Sequence, residues 1–162
     1  MKRTIILLLG IYFISLSACD NYKIDKDSEI KSLNTFVDNW HHAAAVADED
    51  IFFGSLDSNA VYLGTDPKER WLKHEFMDWG MKYFERDTAW AFTPYNRHWE
   101  FSEDMNYAWF DELLDTHMGI CRGSGVLKRY EEGWKIKHYN LALTLPNEQM
   151  DEYKIMINIE SL

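Results

Sequence analysis

Cysteine is scarce in this sequence. There are two in 162 residues, Cys19 and Cys121. A disulfide framework is therefore excluded, and so is any zinc site built on paired cysteines. Proline is scarcer still for the length, at three residues, and glycine stands at eight. Collagen-like and proline-rich linker architectures are ruled out, and no repeat or low-complexity tract appears. Positive charge is short, with 17 Lys and Arg against 27 Asp and Glu, a formal net charge of −10. A nucleic-acid partner needs a basic surface to meet phosphates, so none is expected. HExxH, CxxC and Walker patterns are missing, as is a Gly-x-Ser-x-Gly elbow. His41 and His42 are adjacent, and neighbouring helix positions point about 100° apart, so they do not make a paired ligand set. No metal site and no cofactor are expected.

Aromatic residues are plentiful: seven Trp, nine Tyr and nine Phe. They supply a core and the walls of a cavity. The only extended apolar run is Thr4 to Ile14, behind the basic pair Lys2 and Arg3. It is shorter than the roughly 20 residues of a spanning helix and has the layout of a secretory signal. Leu16-Ser17-Ala18-Cys19 resembles a bacterial lipobox, which implies lipidation of Cys19, removal of residues 1–18 and a membrane anchor at the cell envelope. Cleavage there removes Lys2 and Arg3 and no acid, shifting the balance to −12. Residues 19–28 read as the lipidated Cys and a polar tether, and Cys121 as a small buried strand residue.

Hydrophobic spacing divides the rest. Leu33, Phe36, Val37, Trp40, Ala44 and Ala47 recur at helical intervals. A short second helix is expected over Ile51 to Leu56 and a short strand over Ala60 to Leu63. Asp66-Pro67-Lys68-Glu69 carries the marks of a helix start, with Asp66 as cap and Glu69 closing a capping box. Leu72, Phe76, Trp79 and Tyr83 would give that helix one buried face. Strands then follow over Arg97 to Ser102, Tyr107 to Leu114, Ile120 to Tyr130 and Trp134 to Leu145, joined by turns short enough for antiparallel hairpins. Residues 148–162 form an extension, with a further strand expected over Tyr153 to Ile157. Helices first and hairpin strands after make an α+β order. The expected architecture is a cone-shaped, curved antiparallel β-sheet packed against three N-terminal helices.

Four segments carry a family likeness: Gly64-Thr65-Asp66-Pro67-Lys68-Glu69-Arg70-Trp71, Ala108-Trp109-Phe110-Asp111-Glu112, Cys121-Arg122-Gly123-Ser124-Gly125-Val126-Leu127 and Trp134-Lys135-Ile136-Lys137-His138-Tyr139-Asn140-Leu141. Over residues 29–147 the chain resembles the SnoaL-like family of the nuclear transport factor 2-like superfamily. The resemblance implies a cone-shaped roll with one open mouth, in a group that includes isomerases, dehydratases and proteins that only bind. It also implies that a homodimer through the open sheet face is possible, with Tyr130, Lys135, Lys137 and Tyr139 on that face.

Hairpin arithmetic gives a candidate site. Turns centred near Thr116-His117 and Glu132 place Asp111 opposite Arg122, Trp109 opposite Ser124, Ser124 opposite Asn140 and Val126 opposite His138. One face would then hold Trp109, Asp111, Arg122, Ser124, His138 and Asn140. His138 is the general acid–base candidate, or else a satisfied core histidine. Asp111 is the second candidate, or half of a salt bridge that holds the sheet. Arg70, in the first turn of the capped helix, and Arg97, at a strand start, are candidates for an anion at the cavity mouth, or else solvated surface residues. Tyr62, Trp71, Trp90 and Trp99 are candidates for a wall that stacks a flat ligand, or else for core packing. Three functions follow: a binding module for a small aromatic or amphipathic molecule, a cofactor-free isomerase or dehydratase using His138 or Asp111, or an interaction protein that pairs through its open sheet face.

Overall fold

Helix α1, Lys26–Ala45, opens the computed structural model, which describes residues 25–158. The signal segment, Cys19 and the first part of the tether lie outside the described residues. Asp25 accepts the Asp27 N–H, so α1 begins three residues inside the expected tether. Its apolar stripe buries Leu33, Val37, Trp40 and Ala44, and also His41. Helix α2, Glu49–Gly54, is capped by Asp48, whose carboxylate accepts the Ile51 N–H at 2.9 Å, and it buries Phe52 and Phe53.

Strand β1, Leu56–Leu63, leads into β2, Arg70–Leu72, and only then into helix α3, Lys73–Phe84. The expected helix start at Asp66 is therefore a turn. Its capping chemistry is present, but it closes a hairpin: Lys68 N–H donates to Asp66 Oδ1 at 2.8 Å and Asp66 N–H to Glu69 Oε2 at 3.2 Å. Arg70, Trp71 and Leu72 then pair with Leu63, Tyr62 and Val61, which brings Trp71 beside Tyr62. Glu75 takes over the capping role at the true helix start, accepting the Leu72 N–H at 2.8 Å.

Strands β3 (Thr93–Phe101), β4 (Tyr107–Thr116), β5 (Gly119–Tyr130) and β6 (Gly133–Leu143) complete a six-stranded sheet in the order β2-β1-β6-β5-β4-β3. The sheet is mixed rather than antiparallel throughout, because β1 runs parallel to β6. A parallel partner needs a long crossover, and everything between β1 and β6 provides it. The segment expected as a final strand is instead helix α4, Met150–Met156, preceded by a short 3-10 turn, Asn147–Gln149.

One irregularity sets the two sheet faces. Val126 pairs with His138 and Leu127 with Ile136, so β6 carries one extra residue at Lys137. A bulge of this kind shifts the alternation by one. Trp134 and Ile136 point into the core before it, Tyr139 and Leu141 after it. Tyr139 is thus buried, contrary to its expected place on the open face. The inner face also presents Ala108, Phe110, Glu112 and Leu114 from β4 and Cys121 and Leu127 from β5, all against the helices.

Candidate functional site

A cavity of about 340 Å³ opens between β1, β2, α3 and the β4–β5 turn. That volume is within the ordinary range for small-molecule sites. Its walls are aromatic because two patterns converge. The 3.6-residue period of α3 aims Phe76, Trp79 and Tyr83 at the sheet, and the hairpin aims Tyr62 and Trp71 back at the helix. Tyr62 stacks on Phe76 with centroids 4.0 Å apart, Trp71 lies 4.8 Å from Trp79, and Trp79 lies 5.0 Å from Tyr83. Trp90 and Phe92 close the far side. Burial, then the nearby Glu69 charge, pushes the Tyr62 phenol well above its ordinary pKa, so its hydroxyl keeps its proton. Thr65, Glu69, Arg86 and His117 supply the polar rim.

Deeper in the cone lies an ionic network. Glu112 is fully buried on β4. His41 Nε2 and Glu112 Oε1 are hydrogen-bonded at 2.7 Å. Arg97 reaches Glu112 Oε2 through Nε at 2.8 Å and Nη2 at 2.7 Å. The same guanidinium meets Asp38 at 2.9 Å and the Asn34 side chain at 3.3 Å, while Trp99 Nε1 donates to Asn34 Oδ1 at 2.8 Å. Tyr139 stands between this network and the cavity wall, its ring 5.4 Å from Tyr62 and 6.3 Å from His41. Burial raises its phenol far above the ordinary value.

The structure therefore divides the sequence candidates among four places. Tyr62, Trp71 and Trp90 line the cavity, whereas Trp99 is a buried β3 residue bonded to Asn34. Arg97 is spoken for by Glu112, Asp38 and Asn34, and is unavailable to a ligand at the mouth. Arg70 is an exposed β2 residue, not a first-turn helix residue, and it does not line the cavity. The remaining six do share a face, as the register predicted, but it is the face turned away from the helices. Trp109 is 44% exposed there, and Asp111, Ser124 and His138 line an open groove beside it.

Two of the four expected pairings hold, Ser124 with Asn140 and Val126 with His138. At the β4–β5 hairpin Asp111 instead faces Ser124, Trp109 faces Val126, and Arg122 faces Leu113. The turn centres on His117-Met118, one residue later than expected, so the register moves by two, which leaves every side chain on its predicted face. Arg122 still reaches Asp111 diagonally, Nη1 to Oδ1 at 3.2 Å, with both side chains about half exposed.

Sequence reasoning missed Asn34, His41 and Glu112, and it missed Arg86 and His117 as rim groups. Glu112 had a signal, since it alternates with Phe110 and Leu114, two core residues. Reading it required knowing which face of β4 is inside.

A family model for the SnoaL-like domain matches residues 33–146. The chain belongs to the SnoaL-like domain family. Solved structures repeat its fold, at identities that carry the fold alone. A nuclear transport factor 2-like protein of unknown function from Pseudomonas putida superposes with a TM-score of 0.62 at 11% identity, covering 76% of this chain and 92% of its own. A proposed aromatic ring hydroxylase from Novosphingobium aromaticivorans gives 0.61 at 15% identity, over 76% and 94%. A proposed dehydratase of the nuclear transport factor 2-like family from Streptomyces avermitilis gives 0.60 at 12% identity, over 75% and 100%. No curated protein matches the sequence significantly. The SnoaL-like chain thus has the nuclear transport factor 2-like roll, with an aromatic cavity and, behind Tyr139, an ionic network centred on buried Glu112.

Proposed function

We propose that this SnoaL-like chain is a binding module for a small, flat aromatic molecule, held at the cell envelope by a lipid on Cys19. The observation that carries the reading is the 340 Å³ cavity whose walls are Tyr62, Trp71, Phe76, Trp79, Tyr83 and Trp90. Stacked rings of this kind offer a ligand large apolar faces at little entropic cost. The acid–base reading has less support. Asp111 and His138 line the outer groove rather than this cavity. His41 and Glu112 are inside the cone, but they are buried and bonded to one another. Their partners make them a frame for the sheet and α1 rather than groups free to move a substrate proton.

The test is a thermal-shift screen of planar aromatic compounds against the chain and its Trp79→Ala variant. A ligand at 100 times its dissociation constant adds about 2.7 kcal/mol to stability. A stabilising ligand whose effect is lost in Trp79→Ala supports the reading. Stabilisation that persists in Trp79→Ala, or none across the set, removes it. Anchoring is checked separately: Cys19→Ser should abolish labelling by radioactive palmitate and release the chain from membranes.

A further inference from the structure

We infer that the cavity takes its aromatic ligand as an anion, a carboxylate in the first instance, with Arg86 as the counter-charge. This rests on the cavity being a binding site. Among the described residues Arg97, Arg122 and Arg129 each form a salt bridge, whereas Arg70 and Arg86 form none. Of those two, only Arg86 lines the cavity. Its freedom is notable in a chain with 27 acids, two of which, Glu85 and Asp87, flank it directly.

The guanidinium nevertheless has a partner in the cavity wall. Arg86 Cζ lies 4.8 Å from the centre of the Tyr83 ring, part of the cavity wall. A guanidinium over a ring face still has its N–H groups for a planar, two-oxygen acceptor. A ring seated against Trp79 and Tyr83 would bring a carboxylate substituent to that edge. His117, on the same rim, offers a second ring N–H. Glu69 is the opposing charge in the cavity; its Oε2 accepts the Asp66 N–H in the β1–β2 turn, and its charge acts on the Tyr62 part of the wall. The ligand's charged end is therefore assigned to the Arg86 side and its ring to the aromatic walls.

Titration calorimetry of the full chain with naphthoate and with naphthamide, the uncharged analogue of the same shape, tests this. Naphthoate should bind about tenfold more tightly, as a charge-assisted hydrogen bond predicts. The difference should vanish in Arg86→Gln and survive in Arg70→Gln, the other arginine without a salt bridge among the described residues. Equal affinities for the two compounds would overturn the inference and leave the aromatic pocket standing. A preference for naphthoate that survives Arg86→Gln would overturn the role of Arg86. Binding of neither compound would overturn this inference and count against the pocket reading itself.

Discussion

Glu112 is a carboxylate with no exposure, and it is tolerable only because Arg97 and His41 both meet it. Removing one partner of such a set strands the others in a low dielectric. Glu112→Ala should therefore cost about 3–5 kcal/mol of unfolding free energy in a urea melt. A loss below about 1 kcal/mol would mean that water reaches Arg97 and His41. Asp57 makes a second prediction. Burial pushes its carboxyl up, but hydrogen bonds from Lys137, Tyr130 and the Asn59 N–H outweigh that and hold it at about 2, against 3.8. A depressed carboxyl stabilises the fold fully above its unfolded pKa, and that contribution disappears as pH falls through about 2. The amount is on the order of 2 kcal/mol, and Asp57→Asn should flatten the acid limb of a stability–pH curve. On the alkaline side Tyr130, pushed up to about 12 chiefly by its hydrogen bond to Asp57, works in the opposite sense. Its stabilisation is present below its ordinary pKa of 10 and is lost as pH rises through about 12. At this scale the sequence was legible in kind but not in partner. Asp111 and Arg122 do pair, while the buried pairing of Glu112 could not be seen, because its partners His41 and Arg97 come from α1 and β3.

Elements were read well where a period was long and poorly where local chemistry had two uses. The stripe of α1 and the hairpins from β3 to β6 follow from periodicity. The Asp66–Glu69 segment does not, since the same side-chain bonds cap a helix or close a turn. What decides between them is Trp71, whose ring packs on Tyr62 and Phe76 only if residues 70–72 are extended. Strand β5 shows another such choice. Gly123 and Gly125 suggest curvature from sequence, and the structure shows what they admit: the Tyr139 hydroxyl and Glu112 beside Gly123, and the Phe110 ring beside Gly125. A methyl group at 123 would stand inside van der Waals contact of that hydroxyl. Gly123→Ala should lower stability by about 1–3 kcal/mol, read as a shift in urea midpoint at unchanged slope. A neutral result would show that Tyr139 can move aside.

For the whole molecule, the core is formed by α1, α2, α3 and the inner face of the sheet, and α4 adds nothing to it, with no buried residue. Truncation after Pro146 should change unfolding free energy by less than about 0.5 kcal/mol. A larger loss would place α4 on the fold in solution. The sequence by itself determined the α+β class, the helix stripe, the hairpin order and the abundance of rings for a cavity wall. Each of these is written in the spacing of neighbours along the chain. Tertiary structure alone decided that β1 joins β6 in parallel, that Lys137 bulges and turns Tyr139 inward, and that the polar set around His138 faces outward. Those outcomes depend on which residues meet across long separations. A face of a sheet becomes the inside only when helices cover it, and no local period records that choice.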